Sequence, residues 1–327
     1  MKIGDRPLAA LAAELRDAIG LAHKADIATA ASRLGVSATG PVEVGDDCAA
    51  IADGDGFLLL AIEGFIESFV EADPWFAGWC GVMVNLSDIA AMGGRPIAVT
   101  DAVWSDGAAR AGTMLDGMRA AAEAYGVPIA GGHTNFRAAG LRLAVSVLGR
   151  ASRLLTSFDA VPGDVLLAAI DLRGRWRDPF PNWDAATGVP PERLRGDLAL
   201  LPGIAEAGLA KAAKDISGAG LVGTAIMLAE ASGVGMTIDL ASVPAPDRVD
   251  PLRWLSAFPS FGFIISAPAD AVATIAGRFA ARGIACVRVG SVEPGTHVRI
   301  ALGEEVVTVR DLSIAPLLGC GTRERAA

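Results

Sequence analysis

The stretch Asn85-Leu86-Ser87-Asp88-Ile89-Ala90-Ala91-Met92-Gly93 sets two polar side chains, Asn85 and Asp88, three residues apart in a run that is otherwise small or apolar. Upstream, Asp73-Pro74 has the form of a helix start, a capping side chain followed by a proline, and Gly93-Gly94-Arg95-Pro96 is the matching stop. Between these bounds Trp75, Trp79, Val82, Leu86 and Ile89 recur at helical spacing on one face, while Gly78, Gly81, Asn85 and Asp88 form a second face that is small or polar. A helix so apolar all round belongs inside a domain. Burying an unpaired carboxylate is costly, so Asn85 and Asp88 need partners from elsewhere in the chain.

Three further clusters supply candidates. Gly45-Asp46-Asp47 turns the chain after a short predicted strand, Val42 to Val44; Glu63 ends the apolar strand Phe57 to Ile62; and Asp215-Ile216-Ser217-Gly218 precedes a predicted helix, Gly220 to Ala231. Carboxylates gathered with glycine turns are the pieces of a metal-bridged phosphate site that has no P-loop. At the last cluster, the free N–H groups of a helix start suit a phosphate, with Asp215 on a metal; equally, Asp215 and Ser217 serve as plain helix caps.

Composition bounds what such a site works with. The 327 residues suit two domains, each with its own core. A formal net charge of -9 argues against nucleic acid, because backbone binding needs a basic surface. An acidic protein still binds polyphosphate where divalent cations stand between the two. Hydrophobic residues make up 52%, yet the longest uncharged run, Trp254 to Ala269, carries Pro259, Gly262 and Pro268 and falls short of a bilayer span. The N-terminus has no apolar signal core, and cytoplasmic localisation is expected. Cys48, Cys80, Cys286 and Cys320 show no metal or disulfide spacing and read as reduced structural thiols.

The remaining pattern predicts helices near 7–22, 26–34, 108–125, 202–213 and 269–282, with strands near 96–104, 127–130, 141–148, 165–170, 236–240, 261–266, 286–290 and 298–302. The linker Ala160-Val161-Pro162-Gly163-Asp164 marks the boundary between domains 1–160 and 161–327. Arg173 to Arg195, rich in tryptophan, proline and arginine, reads as an irregular loop or as a lid that selects substrate through Trp176, Arg177 and Trp183. Gly218-Ala219-Gly220-Leu221-Val222-Gly223 matches the dinucleotide-binding fingerprint, but Ala210 to Asp215 before it is charged and helical in pattern, where that fingerprint needs a buried strand. His23 and His297 show no obvious partner.

Taken in order, these motifs resemble those of the aminoimidazole ribonucleotide synthetase-related, PurM-like superfamily, which includes thiamine-phosphate kinase and selenophosphate synthetase. Gly45-Asp46-Asp47-Cys48-Ala49-Ala50 is similar to its G-D-D-A-A motif, and Asn85 to Gly93 is similar almost letter for letter to its N-L-S-D-I-A-A-M-G helix. Gly131-Gly132-His133-Thr134 resembles its G-G-D/H-T turn, Val161 to Leu166 its P-G-D strand entry, and Asp215 to Gly223 the D-V-T-G-F-G-L-L-G segment of selenophosphate synthetase. The resemblance implies an α+β, two-domain fold whose N-terminal mixed sheet pairs with a second subunit's to form a dimeric β-barrel, followed by an α+β C-terminal domain. It also implies ATP and Mg²⁺ as cofactors, with Asp46, Asp47, Glu63, Asp88 and Asp215 as metal residues. Asp47, Asn85, Gly131, Gly132, Thr134, Ser217 and Gly218 would hold the nucleotide, and Asp46, Asp88, His133 and Asp215 are the catalytic candidates.

Glu63 stands where these enzymes usually have Asp, His133 replaces the aspartate of the thiamine-phosphate kinases, and no Cys- or Sec-Lys pair precedes Cys48. The expectation is an ATP- and Mg²⁺-dependent enzyme that phosphorylates or activates a small metabolite, as a homodimer with no nucleic-acid or membrane partner. A non-catalytic ATP-binding dimer or assembly scaffold is the alternative, and an NAD(P)-binding oxidoreductase ranks below both.

Overall fold

A computed structural model describes residues 6–36 and 42–319; Cys320 lies outside them. The chain forms two compact units, one of residues 1–46, 155–185 and 207–327, the other of 47–154 and 186–206. It opens with α1 (Leu8–Arg16) and α2 (Ile19–Leu34). Leu8, Leu11 and Leu15 of α1 are buried in the core of the first unit, so the N-terminal helices fold with the C-terminal half rather than with the segment that follows them. Val42 to Val44 form bends and no strand.

The second unit contains β1 (Ala49–Asp53), β2 (Gly56–Gly64), α3 (Glu67–Ala72), α4 (Pro74–Ala91), β3 (Arg95–Trp104), α5 (Ala108–Tyr125), β4 (Ile129–Asn135) and β5 (Arg142–Ala151). Its sheet runs β1-β2-β5-β3-β4. Only β3 and β4 pair in parallel, and α5 supplies the crossover that a parallel pair requires. One face packs Leu59, Val99, Val103, Leu143, Val145 and Val147 against the helices. The other leaves Ile51, Leu60, Ile62, Ile97 and Leu148 exposed. No closed barrel is found among the described residues. Helix α4 is capped as the sequence predicts, with the Phe76 N–H donating to Asp73 Oδ1 at 3.2 Å. It meets α5 backbone to backbone: a Cβ on Gly78 would lie 1.9 Å from the Met114 carbonyl oxygen, and one on Gly117 would lie 1.9 Å from that of Trp75.

The chain then returns to the first unit through β6 (Val165–Ile170), β7 (Arg175–Trp176) and β8 (Asn182–Asp184), gives α6 (Pro191–Leu198) and α7 (Leu200–Glu206) to the second, and completes the first. The remaining elements are β9 (Ala212–Asp215), α8 (Gly220–Ser232), β10 (Gly235–Asp239), α9 (Pro251–Leu255), β11 (Phe258–Pro259), β12 (Gly262–Ala267), α10 (Val272–Ala280), β13 (Ala285–Glu293), β14 (His297–Leu302) and β15 (Glu305–Asp311). The large sheet runs β15-β14-β10-β13-β6-β12-β9, and β6 and β12 are buried along their whole length.

Three expectations change. Residues 212–215 are the strand β9, not the end of a helix, because pairing with β12 overrides the helical propensity of Ala-Ala-Lys. The segment from Arg173 is not an irregular loop: β7, β8 and β11 form a three-stranded sheet over Trp176, Trp183 and Trp254, whose rings meet edge to face at 5.3 to 6.0 Å. His297 has a partner, Asp311, at 3.4 Å across the β14–β15 pair. Among the described residues no helix is long and apolar enough to cross a membrane.

Candidate functional site

In the second unit Asp47 and Cys48 meet the end of α4. The Cys48 N–H donates to Met92 Sδ at 3.1 Å, one turn beyond Asp88, and this brings Asp47 to Asp88. Each offers a carboxylate oxygen within 4.8 Å of the other's. Asp88 is buried and Asp47 half-buried. Two like charges at that distance repel, and oxygen donors of this kind are what a hard divalent cation takes. Asn85, one turn earlier, is fully buried; its Nδ2 donates to the Gly81 carbonyl at 2.8 Å, while Oδ1 accepts no hydrogen bond among the described residues.

Glu63 lies outside this pair. On β2 it sits opposite Val145 of β5, and Val145 sits opposite Asp101 of β3, which pairs in turn with Gly132 of β4. Directly paired residues share a face. Glu63, Val145, Asp101 and Gly132 therefore form a row on the helix-covered side. Sequence reasoning missed Asp101. Its carboxyl occupies the space a Gly132 side chain would need, with Oδ1 2.6 Å from the Cβ position, and burial pushes it above the usual carboxylate range. A signal was present, an acidic residue inside the apolar run Pro96 to Trp104, but a strand residue without a motif around it carried no assignment.

All of β4 is exposed. Gly131 adopts φ +147°, a conformation that favours glycine, and His133 alternates to the face opposite Gly132, its ring 6.1 Å from that of Trp104. Thr134 follows on the same edge strand, beside Val103.

In the first unit Asp215 ends β9, buried, with the Thr224 hydroxyl donating to its backbone carbonyl at 3.3 Å. Ser217 and Gly218 lead into α8, whose N-terminus has no side-chain cap. Gly220 takes φ +69° and fits against the Leu255 carbonyl, where a Cβ would come within 2.2 Å. Helix α2 begins on this turn: a Cβ on Gly20 would lie 1.9 Å from the Gly218 carbonyl oxygen. Asp46 faces Ser157, whose N–H and hydroxyl donate to its two oxygens at 2.7 and 2.6 Å.

The dinucleotide reading fails on topology. A buried strand does precede the glycines, contrary to expectation, but β9 pairs antiparallel with β12 at the sheet edge, and β12, β6 and β13 separate it from β10. The right-handed crossover to a neighbouring parallel strand, which that fold requires, is not there. Of the residues expected to select substrate, Trp183 is buried with Nε1 donating to the Asp171 carbonyl at 3.0 Å, Arg177 lies 3.8 Å from Asp184, and Arg253 stacks 3.9 Å over Trp176. They are packed against one another.

Residues 45–151 match the N-terminal domain, and residues 185–303 the C-terminal domain, of AIR synthase related proteins. An uncharacterized protein of Synechocystis sp. is 44% identical over 94% of this chain and 96% of its own. The thiamine-monophosphate kinase of Pyrococcus horikoshii is 30% identical, over 79% of this chain and 85% of the kinase. Among solved structures, T. maritima PurL complexed with ATP superposes with a TM-score of 0.70 at 18% identity, covering 82% of this chain and 46% of that one. The chain thus shares the fold of PurL while spanning about half its length.

Proposed function

The chain belongs to the AIR synthase related family, and from that membership we propose that it is an ATP- and Mg²⁺-dependent enzyme that phosphorylates or otherwise activates a small metabolite. The Asp47–Asp88 carboxylate pair at the end of the Asn-Leu-Ser-Asp helix is the observation that carries this reading. The named activities of the thiamine-monophosphate kinase and of PurL with its ATP point the same way.

Asp47 and Asp88 hold Mg²⁺, with Glu63 and Asp215 as the further candidates from the family motifs. Bound there, the metal supplies charge neutralisation and alignment for a polyphosphate. Asn85 offers a buried acceptor, and the Gly131-Gly132 backbone and Thr134 line the nucleotide on an exposed edge strand. Ser217 and Gly218, at a helix start without a side-chain cap, receive a phosphate through backbone N–H groups. Asp88, His133 and Asp215 are the candidates for handling the transferred group's protons. The exposed apolar face around Ile62 and Leu60 supports a homodimer joined through this sheet, which closes the barrel.

The test is turnover of Mg-ATP against a metabolite panel. Wild type should release ADP or AMP with one substrate, and Asp88→Asn should abolish that release. Saturable ATP binding without turnover on any substrate favours the scaffold alternative, which the Glu63 and His133 departures motivate. Absence of ATP binding refutes both.

A further inference from the structure

One buried cation in the first unit has no part in the site as proposed. Lys214, next to Asp215 on β9, is 5% exposed and is one of only four lysines in the chain. Its Nζ lies 3.5 Å from Ser157 Oγ, and that hydroxyl donates to Asp46 Oδ1 at 2.6 Å. Ser157 has no exposed surface and is fixed at every polar atom: its N–H donates to Asp46 Oδ2 at 2.7 Å, and its carbonyl accepts from the Ser232 hydroxyl at 2.7 Å. The adjoining residue is fixed as well, with the Thr156 N–H donating to the Lys211 carbonyl at 2.9 Å.

We infer that Lys214 is a built-in counter-cation for Asp46, so that the first aspartate of the Gly-Asp-Asp turn is committed to an ammonium relayed through Ser157 and takes no metal ion. These two distances hold the ammonium within about 6 Å of the carboxylate, the range in which opposite charges stabilise one another. A buried lysine needs a countercharge, and the half-buried Asp46 carboxylate, whose two oxygens both accept from one serine, has its donors arranged before any ligand arrives. Each oxygen of Asp46 accepts from Ser157 with the ammonium behind that hydroxyl, whereas Asp47 has another carboxylate facing it. Asp46 and Lys214 thereby act as positioning residues. They pin the turn where the chain leaves the first unit, and they lower by one the carboxylates left for metal.

The metal arm of this inference rests on the proposed Mg²⁺ site, and the stability arm does not. Count Mn²⁺ bound per chain by electron paramagnetic resonance, and measure melting midpoints without metal, for wild type, Asp46→Asn, Lys214→Met, Lys214→Arg and the double variant Asp46→Asn/Lys214→Met. Asp46→Asn and Lys214→Arg should keep the wild-type count, and Lys214→Met should bind one ion more. Each neutralising single variant should melt at least about 4 °C lower, and the double variant should recover at least half of that loss, because losing one charge of a pair whose lysine is buried costs more than losing both. Loss of a bound ion in Asp46→Asn, no gain in Lys214→Met, or additive melting shifts overturns the inference. If Lys214→Met does not fold, Lys214→Arg, Asp46→Asn and the double variant still decide it. Wild type that binds no Mn²⁺ refutes the metal site and leaves the melting cycle to judge the pair.

Discussion

Replacing Asp88 by asparagine separates the stability of this fold from its proposed chemistry. The Asp47 and Asp88 oxygens lie within 4.8 Å. At an effective dielectric of about 20, two unit charges at that distance repel by roughly 3 kcal/mol. Asp47 is half-exposed, so solvent screening reduces this to between about 1 and 2 kcal/mol. Asparagine keeps the shape of Asp88 and removes the repulsion. In EDTA, Asp88→Asn should therefore have a higher denaturant midpoint than wild type and a free energy of unfolding larger by that amount. With Mg²⁺ added, wild type gains stability by mass action, about 2.7 kcal/mol at a hundredfold excess over the dissociation constant. The variant should gain little of this, and the order of the two midpoints should reverse. Urea unfolding followed by the fluorescence of Trp75 and Trp79 on α4 reads both states. A variant less stable than wild type in EDTA, or one that Mg²⁺ stabilises equally, would refute the reading of this pair as a cation site.

Four other outcomes follow from named contacts. Gly117→Ala should destabilise by about 1 to 3 kcal/mol, since its Cβ would lie 1.9 Å from the Trp75 carbonyl oxygen, while Gly112→Ala in the same helix has open space and should stabilise by up to about 1 kcal/mol, both by urea unfolding. Asp101 has a folded-state pKa raised by burial, so the stability it allows is full below the ordinary value of 3.8 and falls as pH rises through the folded value; Asp101→Asn should match wild type in acid and exceed it at neutral pH in the same unfolding assay. Cys286, whose thiol burial pushes up to about 12, should resist alkylation at pH 8 in the folded protein and react only on unfolding, as read by mass spectrometry. Ile62, 70% exposed on the open sheet face, becomes a charged obstacle as Ile62→Lys, and that variant should sediment as a monomer in sedimentation velocity where wild type sediments as the proposed dimer.

Much of the second unit was legible because its signals are local. Asp73-Pro74 and Gly93-Gly94 act within one turn of the helix they bound, and α4 runs from Pro74 to Ala91 as read; α5 likewise keeps its predicted ends. The insert was misread for the opposite reason. Its tryptophans and arginines look like an exposed lid in sequence, but Trp254 and Arg253, some seventy residues on, turn them into a small core. Strand β9 was misread similarly, since Ala-Ala-Lys-Asp carries no alternation that would distinguish it from a helix until β12 is beside it.

The sequence by itself determined the family, the two acidic motifs that meet as Asp47 and Asp88, and the helix that holds one of them, because caps, periodicity and motif spacing are short-range properties. Only the tertiary structure decided that α1 and α2 fold with the C-terminal half, that Asp101 lies against Gly132, and that Asp46 accepts from Ser157, which in turn accepts from Lys214. Each of these depends on sheet register or on contacts more than a hundred residues apart, or on one strand lying beside another, and side-chain charge is assigned its partner only after the backbone has brought the two together.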